Sequence, residues 1–147
     1  MDNNFLIPGT PFYLSEFLPP EAFNNPDIEP FWYINWKLVY LAYQIKLRFQ
    51  RTMIINNWAA GGEYFNRGVR FPLSKTGNSL DPHHFLLAFD FDLVGLDADS
   101  IRTDIIQNYK IFYAPLGLTR IELNIAWVHV DMFYFLDFSN LPFTFSK

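Results

Sequence analysis

The sequence predicts an α+β domain, a small and mainly antiparallel sheet with helices packed on one side. Three observations carry that expectation. Residues 35–50 repeat large apolar side chains at helical spacing, with Trp36, Val39, Tyr40, Tyr43 and Leu47 on one face. Residues 84–94 and 127–135 alternate with a period of two, the mark of half-buried strands. Between them Asp97-Ala98-Asp99-Ser100 opens a second helix running to about Tyr109, its early carboxylates suited to the positive end of the helix dipole.

Taken in order, residues 1–31 hold six of the ten prolines and read as an irregular arm. A short helix is expected near Ser15-Glu16-Phe17-Leu18, with Ser15 as its cap. Asn35 is positioned to cap the long helix. Thr52 to Trp58 reads as a short buried strand. Residues 59–82 carry Gly61, Gly62, Gly68, Pro72, Gly77 and Pro82 and form a long loop, a length usually reserved for function. In the central strand Leu87, Phe89, Phe91 and Leu93 face the core, while Ala88, Asp90 and Asp92 open onto a polar site. The second helix turns Ile101, Ile105 and Ile106 inward before Pro115 and Gly117 end it. Strands over Arg120–Ile125 and Trp127–Phe135 complete the sheet. The chain thus divides into an arm (1–31), a domain (32–136) and an aromatic tail (137–147).

Composition removes several classes. Half the residues are apolar and 18% are charged, which suits a packed core and not a disordered chain. A net charge of -4 argues against nucleic acid as the main partner. Without cysteine there is no disulfide, thiolate ligand or cysteine nucleophile. The first residues lack the basic and apolar regions of a signal peptide, and no transmembrane segment is expected. Aromatic residues make up 20% of the chain and crowd its two ends. These ends either wrap the core or dock onto other subunits.

The three histidines concentrate the chemistry. His83 and His84 lie in Asp81-Pro82-His83-His84, seven residues before Asp90, and His129 lies in Trp127-Val128-His129-Val130-Asp131. Two imidazoles and a carboxylate supply three ligands for zinc and leave a fourth position for water, so His83, Asp90 and His129 are the expected Zn2+ ligands. The strand period sets Trp127, His129 and Asp131 on one face. Asp131 there is either a general base or a partner holding His129 in one tautomer. Arg70, in the long loop, is positioned to steady an oxyanion or a substrate carboxylate.

This arrangement resembles the zinc D-Ala-D-Ala carboxypeptidases of the M15 type and their phage-encoded relatives. Their Ser-x-His-x-x-Gly-x-Ala-x-Asp signature is matched by Asp81-x-His83-x-x-Leu86-x-Ala88-x-Asp90, and their aromatic-Val-His-x-Asp strand by Trp127 to Asp131. Phe12 to Phe17, Ile55 to Trp58 with Gly61-Gly62, Arg67 to Arg70 and Leu118 to Glu122 extend the likeness over about residues 10–135. The resemblance implies a zinc DD-peptidase or hedgehog-like fold, with His83, Asp90 and His129 as ligands. It implies Asp131 or Glu122 as general base and Arg70 as a loose match to the substrate-orienting arginine. The implied substrate is a peptidoglycan peptide, and the implied setting is a phage virion or the host cytoplasm before lysis. Asp81 and Leu86 depart from the family serine and glycine, and a leucine is expected to crowd the metal. A second reading follows from those departures: the same fold, impaired in catalysis, acting as a virion component that binds phage structural proteins through its aromatic ends.

Overall fold

The computed structural model describes residues 4–71, 81–133 and 142–146. Its elements are helices α1 (Glu21–Asn24), α2 (Trp36–Phe49) and α3 (Ala98–Gln107) and strands β1 (Met53–Ile54), β2 (Ala88–Leu93), β3 (Arg120–Glu122), β4 (Val128–Asp131) and β5 (Phe143–Phe145). The strands form one sheet in the order β1-β2-β4-β3-β5. The first four pair antiparallel, and β5 joins β3 in parallel. The molecule is therefore α+β with a mostly antiparallel open sheet.

One face of that sheet is apolar. Phe89, Phe91 and Leu93 of β2, Ile121 of β3 and Val128 and Val130 of β4 join a single buried cluster. Into the same cluster α2 sends Leu38, Val39, Leu41, Ala42 and Ile45, and α3 sends Ile101 and Ile105. The opposite face carries Asp90, Arg120, Glu122, His129 and Asp131, because strand side chains alternate.

The long helix forms where its spacing predicts, and Asn35 caps it by accepting from the backbone N–H of Lys37 (3.0 Å) and Leu38 (3.4 Å). Its buried face differs from the expected one. Trp36, Tyr40 and Leu47 are 44–53% exposed, and only Val39 of the predicted stripe is buried. Two stripes of equal period compete on this helix. The aliphatic one packs on the sheet, while the aromatics keep their polar tips in water. Asp97 caps α3 by accepting from Ser100 N–H (2.8 Å). Ile106, expected inward, is 44% exposed because one helical step turns it about 100° from Ile105, off the face that Ile101, Arg102 and Ile105 bury. Asp104 ties α3 to α2, accepting two bonds from Arg48 (2.6 and 2.7 Å) and one from the Tyr113 hydroxyl (2.6 Å).

The strands are shorter than alternation alone suggests. β1 keeps two of seven expected residues, and residues 82–85 form a 3-10 turn before β2 begins at Ala88. Near the N-terminus the helical signal is a 3-10 turn over Leu14–Glu16. Ser15 lies buried inside it, and Glu16 instead accepts from the Tyr13 N–H (2.8 Å). Ile7, Phe12, Leu14, Phe17, Leu18 and Ala22 all enter the main core, so this stretch of the proline-rich segment wraps the domain. Of the aromatic tail, residues 137–141 and 147 lie outside the described residues. Among the described residues no helix is long and apolar enough to cross a membrane.

Arg102 is the buried cation that holds the β3–β4 turn. Its guanidinium donates to the carbonyls of Glu122 (2.9 Å), Ile125 (2.7 Å) and Trp127 (2.5 Å), and to the exposed carboxylate of Asp99 (2.6 Å). Buried carbonyls stripped of a donor carry their desolvation cost. Arg102→Met is expected to lower stability by about 3 kcal/mol in urea unfolding. Asp99→Asn, at a surface ion pair, is expected to cost less than about 1 kcal/mol.

Candidate metal centre

β2 and β4 pair with Asp90 directly opposite His129. Both side chains point to the polar face, and both are buried, as is His83. His83 arrives from the 3-10 turn, not from a strand. Asp81 caps that turn by accepting from His83 N–H (3.0 Å). The turn ends at Leu86, whose φ of 61° lies in the left-handed region that favours glycine. Position 86 therefore carries a backbone requirement that a glycine would meet without strain. The Leu86 side chain packs against the hydrophobic core, and its carbonyl accepts from Asn35 Nδ2 (2.9 Å). The expected crowding of the site by this leucine is replaced by backbone strain.

Each imidazole is oriented from behind. The Nδ1 of His83 lies 2.6 Å from the carbonyl of Gly68, which can only accept, so Nδ1 carries the proton and Nε2 faces the site. Gly68 must be glycine, since a Cβ there would sit 2.1 Å from the Phe17 carbonyl oxygen. The Nε2 of His129 lies 3.2 Å from Asp131 Oδ2, leaving Nδ1 toward Asp90. Asp131 is fully buried and also accepts from Arg120 (2.8 and 2.9 Å to Nε) and from Phe133 N–H (3.0 Å). The ring of Phe145 stands edge-on to His129 at 5.8 Å.

His83, Asp90 and His129 thus form a group that can hold a metal ion. Its edges are 3.3 Å (His83 Nε2 to His129 Nδ1), 3.4 Å (His83 Nε2 to Asp90 Oδ1) and 2.7 Å (His129 Nδ1 to Asp90 Oδ1). Tetrahedral ligands at about 2.0–2.1 Å from a metal stand about 3.3 Å apart. Two edges already have that length. The third is a hydrogen bond, and exchanging its proton for a metal opens it by about 0.6 Å. The donor set and the size of the triangle fit a small divalent ion.

Electrostatics follow from the same contacts. Burial disfavours charge on His129, but hydrogen bonds to Asp131 and Asp90 outweigh it and raise its pKa to about 9. Burial likewise pushes Asp90 and Asp131 upward. The hydrogen bond from His129 to Asp90, and those from His129 and Arg120 to Asp131, hold both below the ordinary carboxylate range. With His129 protonated, the carboxylates of Asp81, Asp90 and Asp131 are matched by Arg70, Arg120 and the imidazolium.

The remaining predicted residues fall close by in different states. Arg70 donates to Asp81 Oδ2 (2.5 Å), Asp90 Oδ2 (3.3 Å) and the Asn66 carbonyl (2.9 Å), so its guanidinium is committed to protein groups. Glu122 is buried, and the β3–β4 register sets it beside His129 on the strand opposite Asp90. Its Oε1 has no hydrogen-bond partner among the described residues. Asp92, expected on the polar face, is ion-paired with Arg67. His84 is half-buried, and its Nε2 also lacks a partner. Gly68, Arg120 and the Asp81 carboxylate are the parts that sequence reasoning did not assign. Among the four glycines of the long loop, nothing in the sequence singled out Gly68.

Comparisons of the chain with protein-family models, with curated proteins and with solved structures find no match.

A raised folded pKa makes His129 stabilising below its unfolded value of about 6.5, with the contribution lost as pH rises through about 9. In chelator, the Tm of the wild type is expected to fall between pH 7 and 10 more steeply than that of His129→Asn. Parallel pH profiles would show that the imidazolium is not held by its two carboxylates.

Proposed function

We propose that this chain is a zinc-dependent peptidase of the D-Ala-D-Ala carboxypeptidase type, phage-encoded, which hydrolyses an amide in the peptide part of bacterial peptidoglycan. The observation that carries this reading is the convergence of His83, Asp90 and His129, three residues picked by motif spacing, on one triangle of ligand-sized edges. The resemblance of the two motifs to that family supplies the substrate class. The same resemblance supplies the setting, a virion or the host cytoplasm before lysis.

Zinc bound at the triangle would polarise the scissile carbonyl and ease deprotonation of the attacking water. The chain's own residues account for the rest. His129 would give up its Nδ1 proton to make room for the metal, while Asp131, fixed by Arg120, accepts from Nε2–H and so holds the tautomer and the ring angle. Between the two candidate bases, Asp131 has both oxygens occupied, whereas Glu122, beside His129, keeps one without a partner among the described residues. Glu122 therefore takes the proton from water and passes it to the leaving amine.

A second reading has its own support. Trp32 is 79% exposed, and Trp36 and Tyr40, one turn apart on α2, add exposed aromatic surface. Such a surface suits docking onto phage structural proteins, with the metal kept for stability alone.

Zinc-loaded protein is expected to release amines from purified peptidoglycan and to clear cell-wall suspensions. Glu122→Gln is expected to lower that rate by about 10²-fold or more with zinc retained, as loss of a general base does. Asp131→Asn is expected instead to weaken zinc binding roughly 10–100-fold. Zinc-loaded protein that leaves every wall preparation intact decides for the virion-component reading.

A further inference from the structure

We propose that Asp81 and Arg70 are positioning residues that aim a single oxygen of Asp90 at the metal position, so that aspartate at 81 maintains the site. The inference deepens the metal reading of the triad and rests on it. Asp81 uses its two oxygens for two tasks. Oδ1 caps the turn that carries His83 (3.0 Å to the His83 N–H), and Oδ2 binds Arg70 Nη1 (2.5 Å). Through Nη2 the same guanidinium reaches Asp90 Oδ2 (3.3 Å), while its own backbone N–H donates to the His83 carbonyl (3.2 Å). One carboxylate thereby fixes the backbone of the first ligand and, through one arginine, the side chain of the second.

A serine at 81 could cap the turn, but it carries no charge to hold a guanidinium in place. Arg70 and Asp81 are shielded, with side chains 17% and 11% exposed, so their pairing is not a loose surface contact. The consequence falls on Asp90. Its Oδ2 is taken by Arg70, which leaves Oδ1 as the oxygen 2.7 Å from His129 and 3.4 Å from His83. A carboxylate held by one oxygen acts as a monodentate ligand. That favours a four-coordinate ion such as zinc over larger cations, which take six to eight oxygens and often a bidentate carboxylate.

The test compares full-length wild type with Asp81→Asn, which can keep the cap and loses the charge, and with Arg70→Lys, which keeps a charge but lacks the planar fork that sets Nη1 on Asp81 and Nη2 on Asp90. Zinc affinity is read by competition with a chromophoric chelator, the metal geometry by the visible bands of the cobalt(II) form, and folding by urea unfolding in chelator. Both variants are expected to bind zinc roughly 10–100-fold more weakly and to show altered cobalt bands. Wild-type affinity and spectra in both variants overturn the proposal and leave the metal reading standing. A variant that loses only stability, with affinity per folded molecule unchanged, makes the pair structural and also overturns it. A wild type that binds neither zinc nor cobalt removes the metal reading itself, and the proposal with it.

Discussion

The structure depends on one buried imidazole held between two carboxylates. His129 sits mid-strand with Asp90 across the β2–β4 ladder and Asp131 two residues along its own strand, and all three are shut away from water. Buried charges survive only when paired and hydrogen-bonded. That requirement recruits the surroundings. Arg120 neutralises Asp131, Arg70 neutralises Asp90, and Asp81 completes the balance on the far side. A one-residue slip of β4 would bring Val128 and Val130 to the polar face and bury an unpaired aspartate in the core. Register and chemistry are therefore fixed together.

Support for the site reaches well beyond the sheet. The first stretch of the chain is not an appendage, because the Phe17 carbonyl accepts from the Val69 N–H (2.7 Å) and forces glycine at 68. Gly68 in turn orients His83. On the other side Asn35, the cap of α2, holds the Leu86 carbonyl at the end of the His83 turn. Each end of the histidine turn is thus tied to a separate part of the core, so the apolar packing that stabilises the fold also sets the spacing of the three ligands.

Features written in local pattern were legible in the sequence. The alternation through Val128, His129, Val130 and Asp131 placed two polar groups on one face, the Asn35 cap lay where side-chain chemistry put it, and the second helix opened at Asp97. The α2 facing was not legible, because two stripes share one helical period and only the sheet selects between them. His84 and Phe85 read as the start of the central strand, but Pro82 and the Asp81 cap bend residues 82–85 into a 3-10 turn. Arg102, Arg120 and the Asp81–Arg70 pair act across gaps of 11 to 25 residues, and no spacing rule reveals such partners. Leu86 misled for a related reason. What position 86 requires is a left-handed backbone angle, and only coordinates tell that apart from close approach.

Whether the His129–Asp90 edge carries a proton or a metal in the cell is the question on which the account turns. Elemental analysis of untagged protein, expressed without added metal and purified without chelator, answers it directly. The account predicts about one zinc per chain, lost in Asp90→Ala and His129→Ala. Protein that is folded and contains no first-row transition metal, even after dialysis against zinc, would contradict it.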